Sequence, residues 1–163
     1  MAFALLVAST AVAQEETISF SGGVSFETGD TWAHQGRKFR LFGVQSCLRG
    51  TTFRSPDGKE VDCGMRSIAS TAALFSTGTI GCQPVGSAKD SATFVICAVE
   101  IDGMTVDVGT ALISSGGAFA AVFPSGEPVS ASYAVAEKTA KDSHAGLWAG
   151  SFVHPVTLLL GEQ

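Results

Sequence analysis

TGDTWAHQGRKFRLFGVQSC, Thr28 to Cys47, decides the fold. The stretch DTWAHQGRKFRLFGVQS reads as a β-hairpin with its turn near Gln35-Gly36, because two alternating segments flank a glycine turn. Phe39 and Leu41 then share one face and Lys38 and Arg40 the other, since successive strand side chains point to opposite sides. Arg40 therefore faces away from the apolar side, where a curved sheet can still line a cleft. The same twenty residues hold Asp30 and a cysteine, so the stretch is either the wall of a reactive site or the shell of one whose chemistry has gone.

Working outward, TISFSGGVSFE places Ile18 and Phe20, then Val24 and Phe26, around Gly22-Gly23, which predicts one strand bent or bulged at the glycines. RSPDGKE is a turn sequence. From Cys63 the period changes: Met65, Ile68, Ala72 and Phe75 form the apolar stripe of an amphipathic helix that Gly78 can end. Strands follow around Ile80 to Val85 and Thr93 to Ile101, with Asp102-Gly103 suited to a tight hairpin. A short helix over Val108 to Ser114 stops at Gly116-Gly117, and a last Ala-rich helix is capped by Ser130 or Ser132 and ends at Gly146. Five short strands in two groups with a helix between them predict a β-rich α+β domain, a small Greek-key barrel of the OB type with about three helices.

The chain has 163 residues, 45% of them apolar and 15% charged, which suits one compact domain and excludes a disordered tail. MAFALLVASTAVAQ is uncharged and apolar, with Ala11-Val12-Ala13 near its end, so residues 1–13 are expected to be a signal peptide, whole or truncated at its basic start, and 14–163 the mature domain. That run is shorter than the roughly 20 apolar residues a bilayer requires. The expected location is periplasmic or secreted, without a transmembrane segment.

An oxidising compartment makes disulfides the expected state of Cys47, Cys63, Cys82 and Cys97, and the absence of a C-x-x-C pair argues against a zinc cluster. Three connectivities are open. The sequential one, Cys47–Cys63 with Cys82–Cys97, closes two short loops worth roughly 3 kcal/mol each in a chain-entropy model. Its second pair would also sit on neighbouring antiparallel strands. Net charge is −5, but Arg37 to Arg66 carries seven of the ten basic residues against three acids. Seven scattered charges make a solvated segment rather than a basic stripe for nucleic acid.

Several segments, in order, resemble the staphylococcal nuclease family in its exported, disulfide-bearing proteobacterial form. They are Gly29-Asp30-Thr31, Phe39-Arg40-Leu41 with Val44, Val108 with Ala111-Leu112-Ile113 and Gly116, and Tyr133, Ala136-Glu137, Ala140-Lys141 and Gly146-Leu147-Trp148. The resemblance implies a five-stranded OB barrel and a site in which carboxylates hold calcium, a glutamate activates water and two arginines clamp phosphate. Position by position, the family's Asp-Gly-Asp-Thr turn reads Thr28-Gly29-Asp30-Thr31, keeping the metal-binding Asp30, and its strand arginine is kept as Arg40. Its Asp-Thr-Pro-Glu segment reads Gln45-Ser46-Cys47-Leu48, so a metal carboxylate and the general base are replaced by Gln45 and Leu48. Its second arginine is replaced by Phe94.

Asp30, Arg40, Gln45 and Ser46 are thus expected to be a vestigial cleft, with no catalytic or metal-binding residue assigned. Leucine cannot abstract a proton, and phenylalanine cannot offset phosphate charge. His34, His144 and His154 lack metal-ligand spacing and read as structural, Ser114-Ser115-Gly116-Gly117 as helix termination, and Trp148 as a lid on the core. The expected function is a non-catalytic binding or scaffold module that meets a protein or polymer of the bacterial envelope, with no cofactor. The alternatives are a residual calcium-dependent phosphodiesterase using Asp30, Ser46 and Arg40, and a non-cleaving nucleic-acid binder, which the acidity of the chain disfavours.

Overall fold

The computed structural model describes residues 17–161, so the expected leader, Met1–Ala13, lies outside the described residues. The chain runs β1 (Ile18–Phe20), β2 (Ser25–Thr28), β3 (Thr31–His34), β4 (Arg37–Leu41), β5 (Val44–Gln45), β6 (Thr52–Arg54), β7 (Glu60–Asp62) and α1 (Cys63–Phe75). It continues through β8 (Ile80–Ser87), β9 (Thr93–Ile101), β10 (Met104–Asp107), α2 (Val108–Ser114), β11 (Phe119–Ala120), α3 (Ala131–Asp142), a 3-10 turn (Gly146–Ala149) and α4 (Pro155–Leu160). The expected hairpin over 31–41 forms: Gln35 and Gly36 both take positive φ, 49° and 75°, which matches the twist of the strands they join. Asp102-Gly103, at 51° and 76°, does the same between β9 and β10.

The architecture is mixed α+β around one curled sheet. Its order is β1-β8-β9-β4-β3-β2, with β10 also on β9; β4 and β9 are parallel and the other pairs antiparallel. β1 and β2 are consecutive in the chain yet stand at opposite ends of that order. Five Cα steps separate Phe20 from Ser25, a reach of at most about 18 Å. The two edges must therefore approach, and the sheet curls into a half-barrel. Gly22 and Gly23, at φ 148° and 67°, break the strand that the sequence predicted as continuous, sending its first half to β8 and its second to β3.

The curl brings aromatic side chains together inside. Phe20 of β1 meets Trp32 of β3 at 5.4 Å and Phe39 of β4 at 5.0 Å, edge to face, although neither strand is its hydrogen-bonded neighbour. Trp32, Phe39 and Leu41 are all buried, as the alternation predicts. A second cluster lies outside the barrel: Cys47, Phe53, Cys63, Phe119 and Leu147, with Trp148 and Phe152 packed on it. Trp148, half-buried against Phe119 at 5.6 Å, covers this second cluster rather than the barrel core.

Both disulfides form with the sequential connectivity. Cys82 and Cys97 are direct cross-strand partners in β8 and β9, 4.0 Å apart at Cα. Cys47–Cys63 ties the loop after β5 to the first residue of α1. No helix among the described residues is long and apolar enough to cross a membrane.

The helix α1 corrects the expected stripe in part: Ile68, Ala72 and Phe75 are half-buried, Phe75 packing on Trp32 at 5.1 Å, but they are not its most buried residues. Its buried residues are Cys63, Gly64, Ser67 and Thr71, while Met65 is 46% exposed. Contact is too close for large side chains, since a Cβ on Gly64 would lie 2.6 Å from the Arg49 nitrogen and one on Gly29 would lie 2.6 Å from Ser67 Cβ. Small polar residues fit, and they bond: Ser67 Oγ accepts from the Cys47 N–H at 3.0 Å, and Thr71 Oγ1 donates to the Gly29 carbonyl at 2.5 Å.

The pair β5–β11, the hairpin β6–β7 around RSPDGKE, and α4 are additions to the predicted elements; the described residues form a main sheet of seven strands, two separate two-stranded sheets and four α-helices. Strands of two or three residues carry no measurable period, which is why pattern alone misses them.

Thr71→Val keeps the side-chain shape and strands the buried Gly29 carbonyl, so it should destabilise by about 1–3 kcal/mol. Thermal melting is expected to show a Tm lower by several degrees. Alkylation without reductant followed by intact-mass measurement should find all four cysteines unmodified; four modified thiols would exclude both bridges.

Candidate functional site

The turn between β2 and β3 holds Asp30 at the foot of a cavity of about 650 Å³. Its walls are the end of β4, the Phe42-Gly43 turn, β5 and the loop to Arg49, closed by Ala121, Phe123, Val129 and Leu159. Two links from α1 set this geometry, because Thr71 holds the carbonyl just before Asp30 and Ser67 holds the N–H just after Ser46. From the other side Tyr133 braces the turn, its ring 3.3 Å from where a Gly43 Cβ would stand. Burial, and then the nearby charge of Asp107, push the Tyr133 hydroxyl well above its usual range, so it stays protonated and donates to Asp107 Oδ2 at 3.3 Å.

Asp30 is 6% exposed. Its Oδ1 accepts from Thr28 Oγ1 at 2.5 Å, Ser46 Oγ at 2.9 Å and Thr31 Oγ1 at 3.4 Å. The Thr31 hydroxyl has a second role, accepting from Arg40 Nε at 3.0 Å, so it relays between the two charged groups. Arg40 Nη2 reaches Asp90 Oδ2 at 3.1 Å. An exposed pair of this kind contributes only about 0–1 kcal/mol. Its consequence is electrostatic: a carboxylate already offsets the guanidinium that an incoming anion would meet.

The structure brings all the sequence-predicted site positions together, for Asp30, Arg40, Gln45, Ser46, Leu48 and Phe94 all line this cavity. Phe94 is the cross-strand partner of Arg40 in the parallel β4–β9 pair and meets Phe42 edge to face at 5.7 Å. Gln45 turns its amide N–H to the Ser46 carbonyl at 2.8 Å. Sequence reasoning missed Asp90 as the partner of Arg40, Thr28 and Thr31 as donors to Asp30, and Phe42 and Phe123 as wall residues. Thr28 and Thr31 flank Asp30 directly, and an Asx-type turn rich in hydroxyls was the available signal.

The donor set does not fit calcium. That ion takes 6–8 oxygen ligands, with several carboxylates among them. Here the cavity lining contains one carboxylate, and three hydroxyls turn their protons toward the same oxygen of it. Among the described residues no group of three or more His, Cys, Asp or Glu is placed to hold a metal.

The histidines stand elsewhere. His34 Nδ1 lies 3.1 Å from the Gly23 carbonyl. His144 follows α3 with φ 55°. His154 caps α4 by accepting the Val156 N–H at Nδ1, which leaves Nε2 to donate to Glu137 Oε1 at 3.0 Å. The basic segment is largely balanced, with Lys38–Glu27, Arg54–Glu60 and Lys59–Asp57 paired and Arg66 over the Phe53 ring. Gly116 ends α2 where a Cβ would lie 2.0 Å from the Ala145 carbonyl, a packing role for the Ser114-to-Gly117 run. No family model and no curated protein matches the chain.

Asp62 fastens the loop that leaves the cavity. Its Oδ2 accepts the Gly50 N–H at 2.7 Å and its Oδ1 caps α1 through the Met65 N–H at 2.8 Å. These backbone donors, Gly50 first, hold its carboxyl below the usual range. A lowered folded-state pKa contributes stability above the unfolded value, near 4, and loses it as pH falls through the folded value. Asp62→Ala should therefore cost about 1 kcal/mol at neutral pH. The gap in Tm between the two proteins should close progressively below about pH 4.

Proposed function

We propose that this chain is an exported barrel of the OB type, similar in plan to the staphylococcal nucleases, whose cleft has lost catalysis and serves as a binding module in the bacterial envelope. The barrel assignment is supported by the strand order: with β1 and β2 counted as one strand split at Gly22-Gly23, and β10 as a branch on β9, five strands make a partly open Greek-key sheet. Two disulfides suit an oxidising compartment.

One observation carries the functional reading. Leu48 and Phe94, at the positions where the resembled family has its base and second arginine, wall the same cavity as Asp30 and Arg40. A nuclease needs a proton acceptor within hydrogen-bond reach of its water and donors aimed at developing phosphate charge. The cavity instead offers aliphatic and aromatic surface at both places. Removing a single preorganised donor costs about 3–4 kcal/mol in other hydrolytic sites. Losing several leaves turnover negligible, even though such effects do not add. Apolar walls with a few convergent polar groups are what binding pockets have.

A second reading, residual phosphodiesterase activity, draws on Asp30, Arg40, Gln45 and Ser46 sharing one polar corner. The two readings separate in a single assay. The mature chain should release no product from DNA, RNA or bis-p-nitrophenyl phosphate above buffer, with or without calcium, and Arg40→Ala should change nothing. Calcium-stimulated turnover that disappears in Arg40→Ala would establish the second reading.

A further inference from the structure

We propose that the cavity receives a small organic monocation with an apolar, preferably aromatic, body, its ammonium group donating to Asp30 Oδ2. This rests on the binding reading above and names its ligand class. The three hydroxyls around Asp30 all address Oδ1, and among the described residues no hydrogen bond reaches Oδ2. The residue is 6% exposed and lines the cavity, so this bare acceptor sits in the polar corner of an otherwise largely apolar space. Oδ2 is left open to solvent, and a cationic N–H that replaces water there is its strongest complement.

The nearest cation in the protein does not supply that donor. Arg40 spends Nε on Thr31 and Nη2 on Asp90. An anionic head would meet the Asp30 carboxylate in the same corner, where Asp90 already offsets Arg40; Arg49, the other cation of the lining, is exposed beside Asp62. The volume, about 650 Å³, lies within the range of small-molecule sites. Leu41, Val44 and Leu48 provide aliphatic wall, and Phe42 and Phe94, packed edge to face at 5.7 Å, provide aromatic wall. A ring-bearing ligand packs edge-to-face there, and a cation near the ring faces gains further attraction.

The test is a nitrogen-15 NMR titration of the mature protein with three probes of similar size: 2-phenylethylamine, 2-phenylethanol and 3-phenylpropanoate. The amine should perturb amides between Thr28 and Arg49 saturably and bind about tenfold tighter than the alcohol, the size of one charge-assisted hydrogen bond. Asp30→Asn, which keeps an oxygen for the three hydroxyls, should erase that preference. Leu48→Trp, filling the cavity from a half-exposed wall position, should abolish binding of the amine while the fold persists. Tighter binding of 3-phenylpropanoate, an unchanged amine preference in Asp30→Asn, or no saturable binding of the amine would each overturn the cation assignment. None of these outcomes requires hydrolysis, whose appearance in the phosphodiester assay would instead overturn the binding reading.

Discussion

One carboxylate oxygen organises the cavity. Thr28, Thr31 and Ser46 converge on Asp30 Oδ1 from the two ends of a turn and from a loop sixteen residues away. A buried charge of this kind is tolerable only when such donors satisfy it. The same constraint fixes its neighbours, because α1 reaches both segments through Thr71 and Ser67 and the Cys47–Cys63 bridge ties that loop to the helix start. Turn, loop and helix are thus one mechanical unit. Small residues at Gly29, Gly64 and Ser67 are what allow the close approach.

That unit walls a cleft of mixed chemistry. Arg40 and Phe94 stand side by side on the parallel strand pair, so a guanidinium and an apolar ring face one space. Asp90, from the loop before β9, supplies the counter-charge at 3.1 Å. The arrangement sets apolar surface beside one lining carboxylate, whose Oδ1 accepts three hydroxyl donors.

Local features of the chain were legible in its sequence where the physics is local. The alternation around Phe39 and Leu41, the turns at Gln35-Gly36 and Asp102-Gly103, and the span of α2 follow from periods and backbone preferences within a few residues. The cross-strand meeting of Cys82 and Cys97 follows from two strand patterns joined by a short connection. The break at Gly22-Gly23 did not follow, because a glycine pair signals a bend without naming the strand each half will join; the curl of the whole sheet decides that. The buried face of α1 was misjudged for a related reason. Ser67 and Thr71 look like solvent-facing residues until the Gly29 carbonyl and Cys47 N–H are placed against them. The site was legible as a set of positions, Asp30 to Leu48 and Phe94, whereas the pairing of Arg40 with Asp90, fifty residues away, is set by the register of β4 on β9.

Calcium titration of the mature chain by isothermal calorimetry tests the central claim most directly, because a cleft with one hydroxyl-bound carboxylate and an apolar wall should not hold a hard cation. No saturable heat is expected up to about 1 mM, the weak end of protein calcium sites. A one-site isotherm below that concentration, lost in Asp30→Asn, would contradict it.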